Sequence, residues 1–171
     1  MIVRPETADD VATIRDVTRA AFAKPDADTP VVEARLVDEL RADVGWIPAL
    51  SLVAIVDGAV VGHVVSTRGY VEETPVLGLG PISVLPEHQR GGVGSALMHT
   101  SFGAAETLGE PLVALLGSPD YYERFGFVAA STLGIDAPDP TWGRYFQVRT
   151  LATYRPTMRG TFRYAEPFTR M

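Results

Sequence analysis

Apolar residues recur at a helical interval near the start of the chain and at a strand interval further on. Val11, Ile14, Val17 and Ala21 stand three to four residues apart, which puts them on one stripe of a helix. Thr7-Ala8-Asp9-Asp10 precedes them in the form of a capping box, a hydroxyl followed three residues later by a carboxylate. The pattern predicts a first helix over residues 8–22. Thr29-Pro30 offers a cap and then the residue best tolerated at a first helical position, and Val32, Leu36 and Leu40 keep the helical period. A second helix is expected from there to about Asp43.

Beyond Leu50 the period shortens. Leu52-Val53-Ala54-Ile55-Val56 and Val60-Val61-Gly62-His63-Val64-Val65 are β-rich runs joined through Asp57-Gly58, a strong hairpin signal. Pro75 to Leu85 reads as another strand, but Gly78, Gly80 and Pro81 interrupt its ladder, since proline has no N–H to give a neighbour; a bulge is expected there. Gly91-Gly92-Val93-Gly94 leads into Ala96, Leu97, Met98 and Ala104, predicting a helix over 92–107 that Gly109 ends. Pro111 to Gly117 is a short buried strand, Asp120 to Phe125 a turn or two of helix, and Phe127 to Ala130 a strand. Phe146-Gln147-Val148 and Thr161-Phe162-Arg163-Tyr164 are weaker alternating segments among Pro138, Pro140, Pro156 and Gly160. The mixture implies an α/β or α+β sheet covered by helices on both faces, in one domain spanning residues 1–171.

Composition narrows what such a domain can do. At 46% hydrophobic and 21% charged residues the chain can bury a core, which excludes disorder for most of it. The longest apolar candidate, Ala49 to Val56, is strand-length and contains Ser51, so no membrane span is expected. The first residues lack the basic-then-apolar order of an export signal, which leaves the cytoplasm as the expected location. With no cysteine, disulfides, thiolate nucleophiles and zinc-thiolate sites are excluded together. His63, His88 and His99 have no ligand-like spacing, so no metal is expected. The net charge of −6 speaks against binding nucleic acid. Residues 141–171 depart from that average, with six Arg (144, 149, 155, 159, 163 and 170) against Glu166. Solvated strand faces and pairs with the acidic body account for them more simply than an anion site.

The informative stretch runs from Ile82 to Leu97: a strand, a glycine-rich turn and a helix start. The first N–H groups of a helix have no internal partner and the helix dipole favours negative charge, while glycines let phosphate oxygens reach bare backbone. Three glycines within four residues beside Arg90 therefore point to phosphate binding. A nucleotide-hydrolysing P-loop needs Lys and then Ser or Thr after its last glycine, but Gly94 is followed by Ser95-Ala96 and Lys24 is the sole lysine. The dinucleotide fingerprint fails where Leu97 replaces a small residue.

At these residues the sequence resembles the GCN5-related N-acetyltransferase superfamily, whose loop reads Q/R-x-x-G-x-G/A and is matched by Gln89, Gly92 and Gly94. Asp120-Tyr121-Tyr122-Glu123-Arg124-Phe125-Gly126-Phe127 is similar to the family's second signature, an aromatic-Tyr-x-basic-x-Gly-Phe run. The resemblance covers residues 1–130; the strand-rich 131–171 is similar to a predicted bacterial branch. It implies a mixed, mostly antiparallel sheet of about six to seven strands, splayed at a bulged fourth strand and flanked by about four helices. It implies acetyl-CoA as co-substrate, with the backbone of Ser83 and Val84 pairing with the pantetheine arm and the amides of Arg90, Gly91, Gly92, Val93, Gly94 and Ser95 holding pyrophosphate. Tyr122 then takes the place of the general acid that protonates the leaving thiolate. Many relatives carry Asn after the fifth strand, where this chain has Leu116-Gly117-Ser118-Pro119, with Ser118 as the nearest substitute. The base is left open among Glu33, Glu72, Glu73, His63 and a water chain.

The activity implied is acetyl transfer to a primary amine, on a small molecule or a protein, by direct attack in a ternary complex. The alternative is a non-catalytic module that binds or senses acyl-CoA. A homodimer is implied by relatives alone, and nothing in the letters names the acceptor.

Overall fold

The computed structural model describes residues 1–26 and 28–171. The capping box forms, with the Thr7 amide donating to the Asp10 carboxylate at 2.7 Å. Asp10 also pairs with Arg4 at 2.7 Å, and that guanidinium holds its carboxyl down to about 2. A short 3-10 turn over Ala8–Asp10 leads into α1 (Val11–Phe22), which buries Ile14, Val17 and Thr18. Helix α2 (Val32–Arg41) opens at Val32 with Val31 as its cap, so Thr29-Pro30 lies outside it. No side chain caps this end; the helix is fixed by the burial of Leu36, Val37 and Leu40.

The hairpin predicted at Asp57-Gly58 joins β2 (Ser51–Val56) to β3 (Ala59–Val71), with both turn residues at positive φ (50° and 80°), as a tight hairpin requires. A strand the periodicity did not reveal, β1 (Ile2–Pro5), adds antiparallel to β2. Four residues between a free terminus and a capping box are too few for alternation to register. β4 (Thr74–Val84) follows β3 antiparallel, and β5 (Leu112–Leu116) lies parallel to β4. From there the order runs β5, β8 (Phe146–Thr150), β6 (Val128–Ala129), so β8 inserts between strands that precede it in the chain. β7 (Ile135–Asp136) and β9 (Gly160–Arg163) pair with each other, and β9 also pairs with the far end of β3 at Tyr70 and Val71. The sheet thus counts nine strands. The expected six to seven match the seven along its main path, and the excess comes from the proline-rich tail, where short strands give little periodic signal.

Alternation along the strands divides the core. Leu52, Ala54 and Val64 pack with Val93, Leu97, Met98 and Phe102 of α3 (Val93–Thr107) on one face. Val53 and Val65 turn to the other face, where Ile14 of α1 and Val37, Leu36 and Leu40 of α2 cover them.

The feature that positions the site is in β4. Between Val64↔Ile82 and Ser66↔Leu79 the register with β3 slips, because β4 carries one extra residue at Gly80-Pro81. The predicted bulge is there, on a strand inside the sheet rather than at its edge. β5 pairs with β4 only at Leu77 and Gly78, and past that point the two strands part.

Candidate functional site

Because the strands part, the edge of β4 from Leu79 to Val84 that faces away from β3 has no ladder partner. This edge runs directly into the glycine loop. Gln89 donates through Nε2 to the Val84 carbonyl at 3.1 Å and ties the loop back to the strand. Arg90 (φ 62°) and Gly92 (φ 87°) lie in the left-handed region, a geometry that gathers successive amides onto one side. Gly92 is the cap of α3, so the amides of Val93, Gly94 and Ser95 in its first turn point into the cleft without helical partners. The Val93 side chain itself is buried in the core, leaving its backbone as its contribution. Ser83 is buried too, its hydroxyl 3.4 Å from that of Thr18.

A cleft of about 720 Å³ brings Ser83, Val84, Gln89, Arg90, Gly92 and Ser95 together. Gly94 lines it as well; Gly91 sits exposed in the turn beside it. Two residues for which the sequence reading gave no cofactor role complete its wall. Tyr121 reaches across from α4 (Pro119–Tyr122), its hydroxyl so near Gly94 that a Cβ there would lie 3.0 Å away. The Arg124 guanidinium stacks 4.8 Å over the Tyr121 ring and adds positive charge to the cleft. Arg124 fills the basic place of the second signature, the one signal that pointed to it.

Tyr122 faces the other way, into a second cavity of about 1220 Å³ that meets the cleft at Phe22 and Ile82. Its ring lies against Gly117, where any Cβ would overlap it, and packs edge-on to Tyr121 and Phe127. Burial, with Tyr121 adding to it, pushes its phenol up to about 12. The proton is therefore retained throughout the physiological range, which suits an acid and not a base. Ser118 caps α4 and its carbonyl accepts from the Tyr121 and Tyr122 amides, both at 3.1 Å, but its side chain lines neither cavity.

The base candidates separate. Glu33, in the first turn of α2, lines the second cavity. Glu72 sits in the β3–β4 turn and accepts from the Thr161 amide at 2.8 Å, with Glu73 beside it; neither lines a cavity. His63 is fully buried, its Nε2 2.8 Å from the Ser51 hydroxyl. Burial first, and then the Arg41 charge, lower it to about 3, so it stays neutral; it lines neither cavity. The arginines of the tail are dispersed: Arg149 donates to the Phe125 carbonyl and Arg170 pairs with Glu166 and Glu39. Among the described residues there is no group of three or more metal-ligating side chains.

Comparison with known proteins places this geometry. The family described as "Acetyltransferase (GNAT) domain" matches residues 2–130. The chain belongs to this family. The uncharacterised N-acetyltransferase YjhQ of Escherichia coli K12 is 34% identical over 166 residues, covering 92% of this chain and 88% of that protein. The crystal structure of the GNAT family N-acetyltransferase YhbS from Escherichia coli in complex with CoA superposes with a TM-score of 0.88 at 28% identity, over 99% of this chain and 92% of that one. A GNAT family acetyltransferase from Brucella melitensis in complex with acetyl-CoA gives 0.78 at 34% identity, over 98% and 97%. The protein is thus a GNAT acetyltransferase with two adjoining cavities, the first centred on an unpaired strand edge and a helix start and the second on side chains.

Proposed function

We propose that residues 1–171 act as a single acetyltransferase domain that moves the acetyl group of acetyl-CoA to a primary amine by direct attack in a ternary complex. One observation carries this reading: an unpaired strand edge runs into an unpartnered helix start within one cleft. An extended amide-bearing arm fits the first as an added strand, and a pyrophosphate fits the second. Bound acetyl-CoA supplies an activated thioester. The residues of this chain do the rest. The amides of Arg90 to Ser95 hold the phosphates, and the Val84 N–H polarises the carbonyl oxygen. Glu33, directly or through water, accepts a proton from the ammonium, freeing the lone pair that forms the C–N bond. As the C–S bond breaks, Tyr122 gives its proton to the departing thiolate, and the second proton that nitrogen sheds as the amide forms restores the phenol through water.

The relatives bound to CoA and acetyl-CoA support the choice of donor, and a phenol at the wall of the second cavity, next to the cleft, supports turnover over simple sensing. A bacterial cytoplasm and a homodimer belong to the same reading. The relatives named above come from bacteria, and among the described residues no helix is long and apolar enough to cross a membrane.

The test is calorimetric titration of acetyl-CoA into wild type, Gly92→Glu and Gly91→Glu. Each variant places a carboxylate where pyrophosphate belongs. Gly92 is left-handed and strains any side chain, whereas Gly91 has room for a Cβ, its nearest neighbour the His88 carbonyl at 3.6 Å. Wild-type binding, weakened more than about 100-fold in both variants, is expected from lost phosphate contacts and like-charge repulsion. No binding to wild type sinks the donor assignment.

A further inference from the structure

The acceptor side carries an inference that rests on this acetyl-transfer reading. The second cavity is walled by aromatic rings from the C-terminal tail, and two strand glycines make room for them. Phe162 lies against Gly69, where a Cβ would meet its ring at 2.9 Å, and Tyr164 against Gly78, at 2.7 Å. Phe162 and Tyr164 meet edge-on with centroids 4.7 Å apart, and Phe168 stacks on Tyr164 at 4.4 Å. Trp142 closes the group 6.4 Å from Tyr164, on a 3-10 segment held by Asp139, whose carboxylate accepts from the Thr141 amide and hydroxyl. Burial, with Tyr122 nearby, holds the Tyr164 phenol above its ordinary range, so the rings and the general acid share one apolar space.

The charge in that space is of one effective sign. Its lining includes four carboxylates, Glu33, Asp43, Asp139 and Glu166, and two guanidinium groups, Arg68 and Arg163. Both cations are engaged: Arg68 grips Glu110 in two hydrogen bonds of 2.9 and 2.5 Å, and Arg163 lies 5.0 Å over the Tyr70 ring while donating to the Glu72 carbonyl. Of the other carboxylates, Asp43 accepts from the Gly45 amide, Asp139 from Thr141, and Glu166 pairs with Arg170. Among the described residues Glu33 has no hydrogen-bonded or ionic partner. An ammonium entering the cavity therefore finds in Glu33 a carboxylate with no partner to displace, and in the same cavity rings suited to an apolar body.

We infer that the acceptor is an arylalkylamine: a primary amine on a short chain bearing an aromatic ring, its ammonium at Glu33 and its ring among Trp142, Tyr164 and Phe168. Ring packing favours this body. A polyhydroxylated amine would leave hydroxyls unpaired against the aromatic wall, and a polycationic chain would leave the rings without a ring to pack on.

The experiment measures thiol release at saturating acetyl-CoA with 2-phenylethylamine and tryptamine against putrescine, kanamycin and a peptide carrying one lysine. The arylalkylamines are expected to exceed each of the others at least about tenfold in kcat/KM, the scale of one well-placed aromatic contact and a desolvated polar group. Trp142→Ala, and Trp142→Leu should the smaller residue unfold the tail, raises KM for tryptamine about tenfold. Glu33→Gln raises KM for every amine. Acetyl-CoA affinity, measured by titration, stays at the wild-type value in all three variants. Equal or faster turnover of putrescine, kanamycin or the peptide overturns the assignment. So does a protein that binds acetyl-CoA yet acetylates neither arylalkylamine. Absence of acetyl-CoA binding overturns the donor reading itself, a separate result visible before any amine is added.

Discussion

The two cavities that meet at Phe22 and Ile82 are built by opposite means. The cleft is centred on one continuous segment, Ile82 to Ser95, flanked by Phe22, Tyr121 and Arg124, and that segment offers backbone: an unpaired strand edge and the free amides of a helix start. The larger cavity is assembled from side chains of α2, β3, β4 and the tail, residues as far apart as Glu33 and Phe168. Backbone groups are the same whatever side chain they carry, so such a cleft can hold a fixed donor while its sequence varies. A cavity of side chains can change its acceptor one substitution at a time. The division suits an enzyme whose donor is constant and whose acceptor is particular.

That contrast predicts where single substitutions hurt most. In the proposed reaction Tyr122 is a side chain with a chemical task, and Phe in its place keeps the packing against Gly117 and Phe127 while removing the proton. Tyr122→Phe should lower kcat by about 10²–10⁴, the usual contribution of a placed general acid, with acetyl-CoA affinity unchanged by titration. The raised phenol also fixes a sign. Only the protonated form serves as an acid, and with the group pushed up to about 12 it stays protonated through pH 10. No alkaline fall in wild-type kcat below pH 10 should therefore come from Tyr122. Loss of acetyl-CoA binding in Tyr122→Phe, with kcat preserved at saturation, would transfer the residue from the chemistry to the donor cleft.

How much of each region the sequence disclosed follows from the same difference. The bulge at Gly80-Pro81, the glycine turn and the helix start lie in consecutive letters, and each has a local physical cause. The second cavity has none. Gly69 and Gly78 read only as weak points in strands, and their role as recesses for Phe162 and Tyr164 depends on a tail 93 and 86 residues downstream crossing β3 and β4. Tyr121 and Tyr122 are neighbours in sequence, yet a helical turn sends one to each cavity. Glu33 was one candidate among several, and only the fold separates it from Glu72, Glu73 and His63.

A second prediction tests whether the side-chain cavity depends on its buried supports. Arg68 lines it while gripping Glu110, which is 8% exposed. Glu110→Ala leaves a half-buried guanidinium without its counter-ion beside the second cavity, with the Val76 carbonyl as its remaining partner. The expected cost is about 3 kcal/mol, the lower end for breaking a buried pair. In a chain of this length that lowers the melting temperature by about 6–12 °C. Freed of its partner, Arg68 also repels an ammonium, so KM for amines rises while acetyl-CoA affinity holds. A melting temperature within 2 °C of wild type would mean that solvent already screens the pair.

The smallest effect is the sharpest check on the backbone character of the cleft. Arg90 is exposed and sits at φ 62°, a conformation that costs Ala and Arg alike, so Arg90→Ala removes the charge without altering the strain of the turn. If the amides of the turn and of α3 do most of the holding, the lost charge is worth about as much as an exposed ion pair, at most about 1 kcal/mol. Acetyl-CoA affinity should then fall by about twofold to fivefold, and by less at high salt, where exposed charges are screened. A fall as deep as that expected for Gly92→Glu would show the phosphates to be gripped by a side chain. The distinction between a cleft of backbone and a cavity of side chains would then fail at its own starting point.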